Sequence, residues 1–265
     1  MSTPASAAAR DVQARLNYIH PDCDPGVLYE MQRESSTLVF DPRTVTVRDG
    51  RNAGLTLARH GLQIVNSPTR ADLRDPEQVR TILRRETEAL IKSLTGASEV
   101  WVFNEVPRLE DDPNAGKPAY TVHVDFDRKT LERFVRATHP DPDRVLARRF
   151  ANLNLWRPIR TVERTPLALC EGSSIAATDQ KVGIIRMKPD TPDLMPLSGF
   201  NIAYNPEHRW WWFPDMQPDE VLVFKLFDSD GGKPQLTAHT AFDDPGSSID
   251  ALPRRSLEVR TIAIF

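Results

Sequence analysis

Thr121-Val122-His123-Val124-Asp125-Phe126-Asp127 alternates apolar and polar side chains with a period of two. In an extended chain, that spacing puts Val122, Val124 and Phe126 on one face, as a row toward a core, and His123 with Asp125 on the other. The segment therefore reads as a strand over 120–126. Beyond residue 150 the pattern repeats in short form, with prolines spacing apolar or β-branched runs at 153–156, 167–170, 183–187, 199–204, 209–213, 221–227 and 254–265. Eleven of the 22 prolines fall in that part, from Pro158 to Pro253, yet 120–126, 237–242 and 254–265 contain none. Proline is then expected at the corners and not in strands that need every backbone donor.

Upstream, 100–106 has the pattern of a buried strand, and 107–118 that of a polar loop. Residues 16–65 read as loops and short extended pieces, 37–40 and 44–47 flanking Asp41-Pro42-Arg43 as a turn. Asp75-Pro76-Glu77 opens a helix by capping, ring geometry and charge, and Gly96 supplies its stop. One or two short helices follow between 129 and 151, the second opened by Asp141-Pro142. The expected class is mainly β with flanking helices: a barrel or sandwich in one domain over 11–265, buttressed at about 75–96 and 129–151. Residues 1–10 read as a flexible tail.

Composition narrows the function. The 265 residues carry 34 Lys and Arg against 37 Asp and Glu, a balance of 34 − 37 = −3, with no basic stripe for nucleic acid. A hydrophobic share of 40% with 27% charged residues belongs to a globular chain. Cys23 and Cys170 are too few for a disulfide framework, which fits a reducing cytoplasm. No run approaches the ~18 apolar residues of a membrane span, and the first ten residues hold no apolar signal core.

His123 and Asp125, sharing a face, are two thirds of the two-histidine, one-carboxylate set that non-haem Fe(II) oxygenases use. Alone the pair is a weak signal, since a solvated face also holds a His and an Asp by chance. A third ligand must come from a distant strand, and His20, His60, His139 and His208 lie in early or turn segments. His239 remains, in a β-prone stretch where Ala238 and Ala241 leave room for a metal and a substrate. Near the end, Arg254, Ser256, Glu258 and Arg260 share one face of a strand, and an arginine fork matches a carboxylate. Without the histidines, those alternating charges would read as a solvated edge strand. Trp210-Trp211-Trp212 cannot form a one-sided stacking platform, because neighbours on a strand face opposite ways. Gly231-Gly232 reads as a turn, and Ser173-Ser174 lacks the context of a nucleophile.

Seven stretches occur in one order: Asn154 to Ile159 (Asn-Leu-Trp-Arg-Pro-Ile), Pro166 to Leu169, Tyr204 to Trp210, Phe213 to Glu220, Phe224 to Ser229, His239 to Phe242 and Arg254 to Arg260. As an ordered set they resemble the fungal and bacterial family of gibberellin-desaturase-like and cephamycin-methoxylation-related proteins of secondary metabolism, over nearly the whole chain. The resemblance implies a double-stranded β-helix (jelly-roll, cupin-like) barrel and an Fe(II)- and 2-oxoglutarate-dependent dioxygenase. It implies His123, Asp125 and His239 as iron ligands and Arg254 with Ser256 as the holders of the far carboxylate of 2-oxoglutarate. Arg254 lies 254 − 239 = 15 residues beyond His239, further than in many relatives, and Arg255 stands where the family often has glutamate. Arg260, on the same face, is a rival. Arg157 and Tyr204 either reach the cavity or anchor strands.

The reaction so implied consumes dioxygen and 2-oxoglutarate and oxidises an unactivated C–H bond of a small natural product or amino-acid-derived metabolite, by hydroxylation, desaturation or ring closure. The alternatives are a metal-dependent hydrolase and a non-catalytic, small-molecule-binding β-barrel. Neither a nucleic acid nor a membrane is an expected partner.

Overall fold

The structure, a computed structural model, describes residues 9–189 and 197–265. Two sheets carry it. The larger has nine strands, in the order β1 (Val12–Ile19), β3 (Phe40–Asp49), β11 (Trp210–Trp212), β8 (Leu167–Cys170), β13 (Ala238–Ala241), β6 (His123–Val124), β10 (Leu197–Ile202), β9 (Gln180–Arg186) and β2 (Gly26–Tyr29). The smaller has five: β4 (Leu62–Asn66), β12 (Glu220–Asp228), β7 (Phe150–Pro158), β14 (Arg255–Ile264) and β5 (Glu99–Leu109). The larger sheet curls on itself, since isolated bridges from Asn17 to Thr121 and from Ile19 to Ala203 return β1 to the ends of β6 and β10.

The main apolar cluster joins the two sheets. Trp156, Leu222 and Phe224 of the smaller pack in one body with Ala168, Leu169, Trp210 and Ala238 of the larger. On the outer side of the smaller sheet, a helical segment buries Leu83 and Ile91 against Val100, Leu153, Val223 and Val259. That segment is α2 (Pro76–Gln78), a π-turn (Val79–Leu83) and α3 (Arg84–Thr95) in succession. Asp75 caps it by accepting from the Glu77 and Gln78 amides at 2.9 and 3.4 Å, and Gly96 ends it at φ 72°. A second buttress, α4 (Arg128–Thr138) and α5 (Pro142–Leu146), buries Leu131, Val135 and Val145 with Phe126 and Ile262. Both buttresses lie where the capping residues put them. Between α2 and β3, the four-residue α1 (Leu57–His60) packs on β4.

Five expectations need correction. The turn at Asp41-Pro42-Arg43 is absent: Phe40–Asp49 is one strand paired along β1, Pro42 facing Asn17. Its second neighbour, β11, joins only from Val47 to Asp49, so the N–H that proline lacks is not missed there. Residues 16–65 are accordingly richer in strand than their polar composition suggests. β5 continues through Pro107 to Leu109, which is allowed because β5 is the edge of its sheet. In the opposite sense, the strand at 120–126 shrinks to His123–Val124. Of the expected tail, residues 1–8 lie outside the described residues. Arg10 is anchored, its guanidinium donating to Asp215 and Asp244 and its cation lying 5.0 Å from the Trp212 ring centroid.

Candidate active site

β6 holds its short place between β13 and β10, and the register puts His123 opposite His239 on one side and Asn201 on the other. Residues paired across a sheet share a face, so both imidazoles look the same way. Their ring centroids are 4.3 Å apart. That face looks onto the smaller sheet, since Phe224 of β12 lies 4.9 Å from the His239 ring. Asp125 comes just after the ladder ends, yet still falls on the His123 face, with Oδ1 at 3.4 Å from His123 Nε2 and 4.0 Å from His239 Nε2. Val122, Val124 and Phe126 are buried, Phe126 among Phe150 and Ile262 of the smaller sheet with the Arg260 cation 5.0 Å from its ring centroid. The pairing of His123 with Asp125 on one face thus survives the loss of the regular strand.

Each histidine is oriented by its own backbone. His123 Nδ1 lies 2.7 Å from the Thr121 carbonyl and His239 Nδ1 3.5 Å from that of Thr237. A carbonyl can only accept, so both Nδ1 atoms carry the proton and both Nε2 lone pairs turn toward Asp125. Burial, then the neighbouring His123, pushes His239 down to about 3, which leaves its imidazole unprotonated at neutral pH. For Asp125, burial alone would raise the carboxyl. The Arg260 guanidinium outweighs it and holds the group well below the usual carboxylate range. Three donor atoms, one from each residue, lie within 4.8 Å of one another. An ionised carboxylate with two nitrogen lone pairs fits Fe(II), whose facial ligand set this is.

The smaller sheet supplies the partners. From β7, Asn154 Nδ2 donates to Asp125 Oδ2 at 2.7 Å. On β14, Arg260 donates to Asp125 Oδ1 at 3.3 Å and to Glu258 Oε1 at 2.8 Å, so its charge is matched on both sides. Arg254, the other candidate clamp, differs in kind. It is 3% exposed, and its one side-chain hydrogen bond among the described residues goes to the neutral Thr165 carbonyl at 2.9 Å. Nε has no partner, nor has the buried hydroxyl of Ser256. Burial, then repulsion from Arg108, lowers the Arg254 guanidinium to about 10. A buried, unpaired cation is costly, and a dicarboxylate co-substrate is the kind of group that relieves the cost. The residues present therefore fit 2-oxoglutarate as well as iron.

Arg157 and Tyr204 turn out to anchor strands. Arg157 donates to the Ser67 and Pro218 carbonyls at 2.6 and 3.3 Å, and Tyr204 packs edge-on against Tyr18 at 5.3 Å with Arg43 over its ring. The three tryptophans split as expected: Trp210 donates to Tyr18 and Trp212 to the Arg10 carbonyl, whereas Trp211 reaches Glu171. Among the other histidines, His208 stacks on Tyr18 and His139 meets the Trp101 ring edge-on. Sequence reasoning missed the role of Asn154. A signal existed: two asparagines inside a strand buried at every position must find partners, and this one finds the carboxylate.

A curled sheet facing a smaller one, with two imidazoles and a carboxylate on the enclosed face, defines the class of non-haem iron oxygenases. Residues 16–264 match the family described as "Oxidoreductase/YMDC permease-like domain", and the chain belongs to it. The hydroxylase/desaturase efuI of Hormonema carpetanum is 31% identical over 292 residues, covering 98% of this chain and 97% of its own. The alpha-ketoglutarate-dependent dioxygenase tstK of Talaromyces stipitatus is 30% identical, with 94% and 96% covered. Among solved structures, the iron and alpha-ketoglutarate-dependent endoperoxidase NvfI, known from Aspergillus novofumigatus, superposes with a TM-score of 0.87 at 25% identity, covering 98% and 99%. The fold is a jelly roll, and the protein is an oxidoreductase of the Fe(II)- and 2-oxoglutarate-dependent dioxygenase class. No helix among the described residues is long and apolar enough to cross a membrane.

Proposed function

We propose that His123, Asp125 and His239 hold Fe(II), that Arg254 and Ser256 hold the distal carboxylate of 2-oxoglutarate, and that the enzyme oxidises an unactivated C–H bond of a small metabolite of secondary metabolism. One observation carries the assignment: the only buried arginine of the β14 face without a carboxylate partner among the described residues lies in the same enclosed layer as the three ligands. Iron(II) bound there, with 2-oxoglutarate and dioxygen, supplies the oxidising power, the co-substrate leaving as succinate and carbon dioxide. The chain's own residues do the rest. Asn154 and Arg260 keep the Asp125 carboxylate ionised and aimed. The Thr121 and Thr237 carbonyls keep both Nε2 lone pairs free. Phe224 and Trp156 close the layer against bulk water, so that the oxidant meets substrate in preference to solvent. Residues 11–265 act in this reading as one unit, which the apolar cluster shared by both sheets supports. Two buried, unpaired cysteines support a reducing, cytoplasmic setting.

The hydrolase alternative has no use for an unpaired arginine opposite the metal. Succinate release is the deciding experiment. Protein loaded anaerobically with Fe(II), then given 2-oxoglutarate and air, is expected to release succinate slowly even without substrate and faster with it. Zinc-loaded protein is expected to release none. Hydrolysis supported by zinc, with no succinate from the iron form, refutes the reading.

A further inference from the structure

The metal face continues past His123, and what it carries there points to the substrate. Asn201 pairs with His123 across β6 and β10, and with Lys181 across β10 and β9. His123, Asn201 and Lys181 thus form one row on one face. Val182, next to Lys181 and on the opposite face, is 39% exposed, whereas Lys181 is half-buried, so the row looks inward. Beside it runs a second row with no side chains: Gly199 pairs with Gly183, and Gly183 with Gly26. A Cβ on Gly183 would lie 2.8 Å from Asn201 Nδ2, so the amide rests directly on that backbone. Asn201 is 8% exposed, and among the described residues its amide makes no hydrogen bond. Lys181 likewise has no carboxylate partner among them. A carboxamide that rests on the glycine backbone and a half-buried lysine on the same face, neither with a hydrogen-bond or carboxylate partner among the described residues, thus stand beside the proposed iron ligands with their polar ends free to meet a ligand.

We propose that Asn201 and Lys181 are specificity-determining residues that hold an acidic group of the substrate, a carboxylate or another ionised oxygen acid. The lysine supplies the countercharge and the asparagine a directed N–H, while the glycines make room for the rest of the molecule. β10 and β9 lie one and two strand spacings from β6, which sets the acid about 5–10 Å from the histidine row. The substrate is then an acid oxidised at a carbon remote from its anionic end. The inference rests on the metal face being the catalytic one, but its test does not require metal.

Decanoate and 4-phenylbutanoate, each compared with its methyl ester, are titrated into metal-free protein and followed by ligand-detected NMR. The acids are expected to bind at least tenfold more tightly than the esters. Lys181→Met and Asn201→Leu are expected to abolish that preference while keeping the wild-type melting temperature, and Lys181→Arg to restore it. Saturating 2-oxoglutarate is expected to leave acid binding in place. Equal binding of acids and esters, or no binding of either, overturns the proposal. Displacement of the acids by 2-oxoglutarate also overturns it, since Lys181 would then belong to the co-substrate site. A failed succinate assay with intact acid preference would instead count against the iron chemistry alone.

Discussion

Asp125 is the residue on which most depends, and its environment is built from afar. Its oxygens are met by Asn154, 29 residues away, and Arg260, 135 residues away. Groups that orient a metal ligand typically control metal affinity by 10–100-fold. Asn154→Ala is therefore expected to weaken Fe(II) binding by about that range, read by titration of the anaerobic protein, with the fold retained. An unchanged affinity would show that the 2.7 Å contact does not orient the carboxylate. Arg254 should behave differently. Hydrogen bonds to charged groups contribute about 1.5–3 kcal/mol, so Arg254→Met should raise the KM for 2-oxoglutarate roughly 10- to 100-fold. Fe(II) affinity should stay at the wild-type value. If both change together, Arg254 supports the iron site as a whole and is not a clamp. At this scale His123 and Asp125 were legible because a period of two is local. Asn154 and the Asp125–Arg260–Glu258 chain were not, because their contacts to Asp125 come from 29 and 135 residues away, beyond any local pattern. Arg254 and Arg260 share a face and differ in their partners: Glu258 of the same strand and Asp125 of the larger sheet meet Arg260, whereas the Thr165 carbonyl meets Arg254.

Among the elements, β6 shows how a two-residue strand can hold a site. Its ladder stops at Val124 because the chain turns across β10, and the turn is possible only over a glycine. A Cβ on Gly199 would stand 2.3 Å from the Val124 carbonyl oxygen and 2.5 Å from that of Asp125. Both obstacles are backbone atoms and cannot swing aside. Gly199→Ala is thus expected to lower stability by about 1–3 kcal/mol, as overpacking does, and to weaken Fe(II) binding by moving Asp125. Denaturant melts and metal titration of the same variant measure the two effects. Wild-type metal affinity in a folded Gly199→Ala protein would mean that Asp125 does not depend on this crossing. The helical segment at 76–95 was readable because Asp75, Pro76 and Gly96 act within a few residues. β3 was not, because Asp41-Pro42 has the chemistry of a turn and is overridden by ten residues of pairing with β1 and β11. Proline is excluded by a missing donor, and at a position with a partner on one side only that donor is not required.

For the whole molecule, the curl of the large sheet has an electrostatic consequence. Rolling β1 back over β6 and β10 seals Tyr18, Trp210 and His208 into one aromatic layer, with Tyr18 stacked on His208 at 5.6 Å. Burial lowers His208 below its ordinary value of 6.5, and the nearby Asp179, 3.2 Å from Nε2, only partly opposes this. Above about pH 6.5 the imidazole is neutral in both folded and unfolded chains and contributes no slope. Below that, the unfolded chain takes up the proton first, so stability falls with pH until folded His208 is protonated too. His239, pushed down to about 3, acts in the same direction when no metal is bound. Glu171, Glu220 and Asp228 join only in stronger acid: burial opposes their ionisation, but Arg209, Arg51 and Arg149 respectively overcome it and hold them below the usual range. Urea midpoints measured from pH 7.5 to 5 on the metal-loaded protein should therefore decline, and His208→Gln should flatten the decline whatever its effect on absolute stability. A His208→Gln protein with the wild-type slope would assign the acid sensitivity to other groups and leave the aromatic layer electrostatically silent.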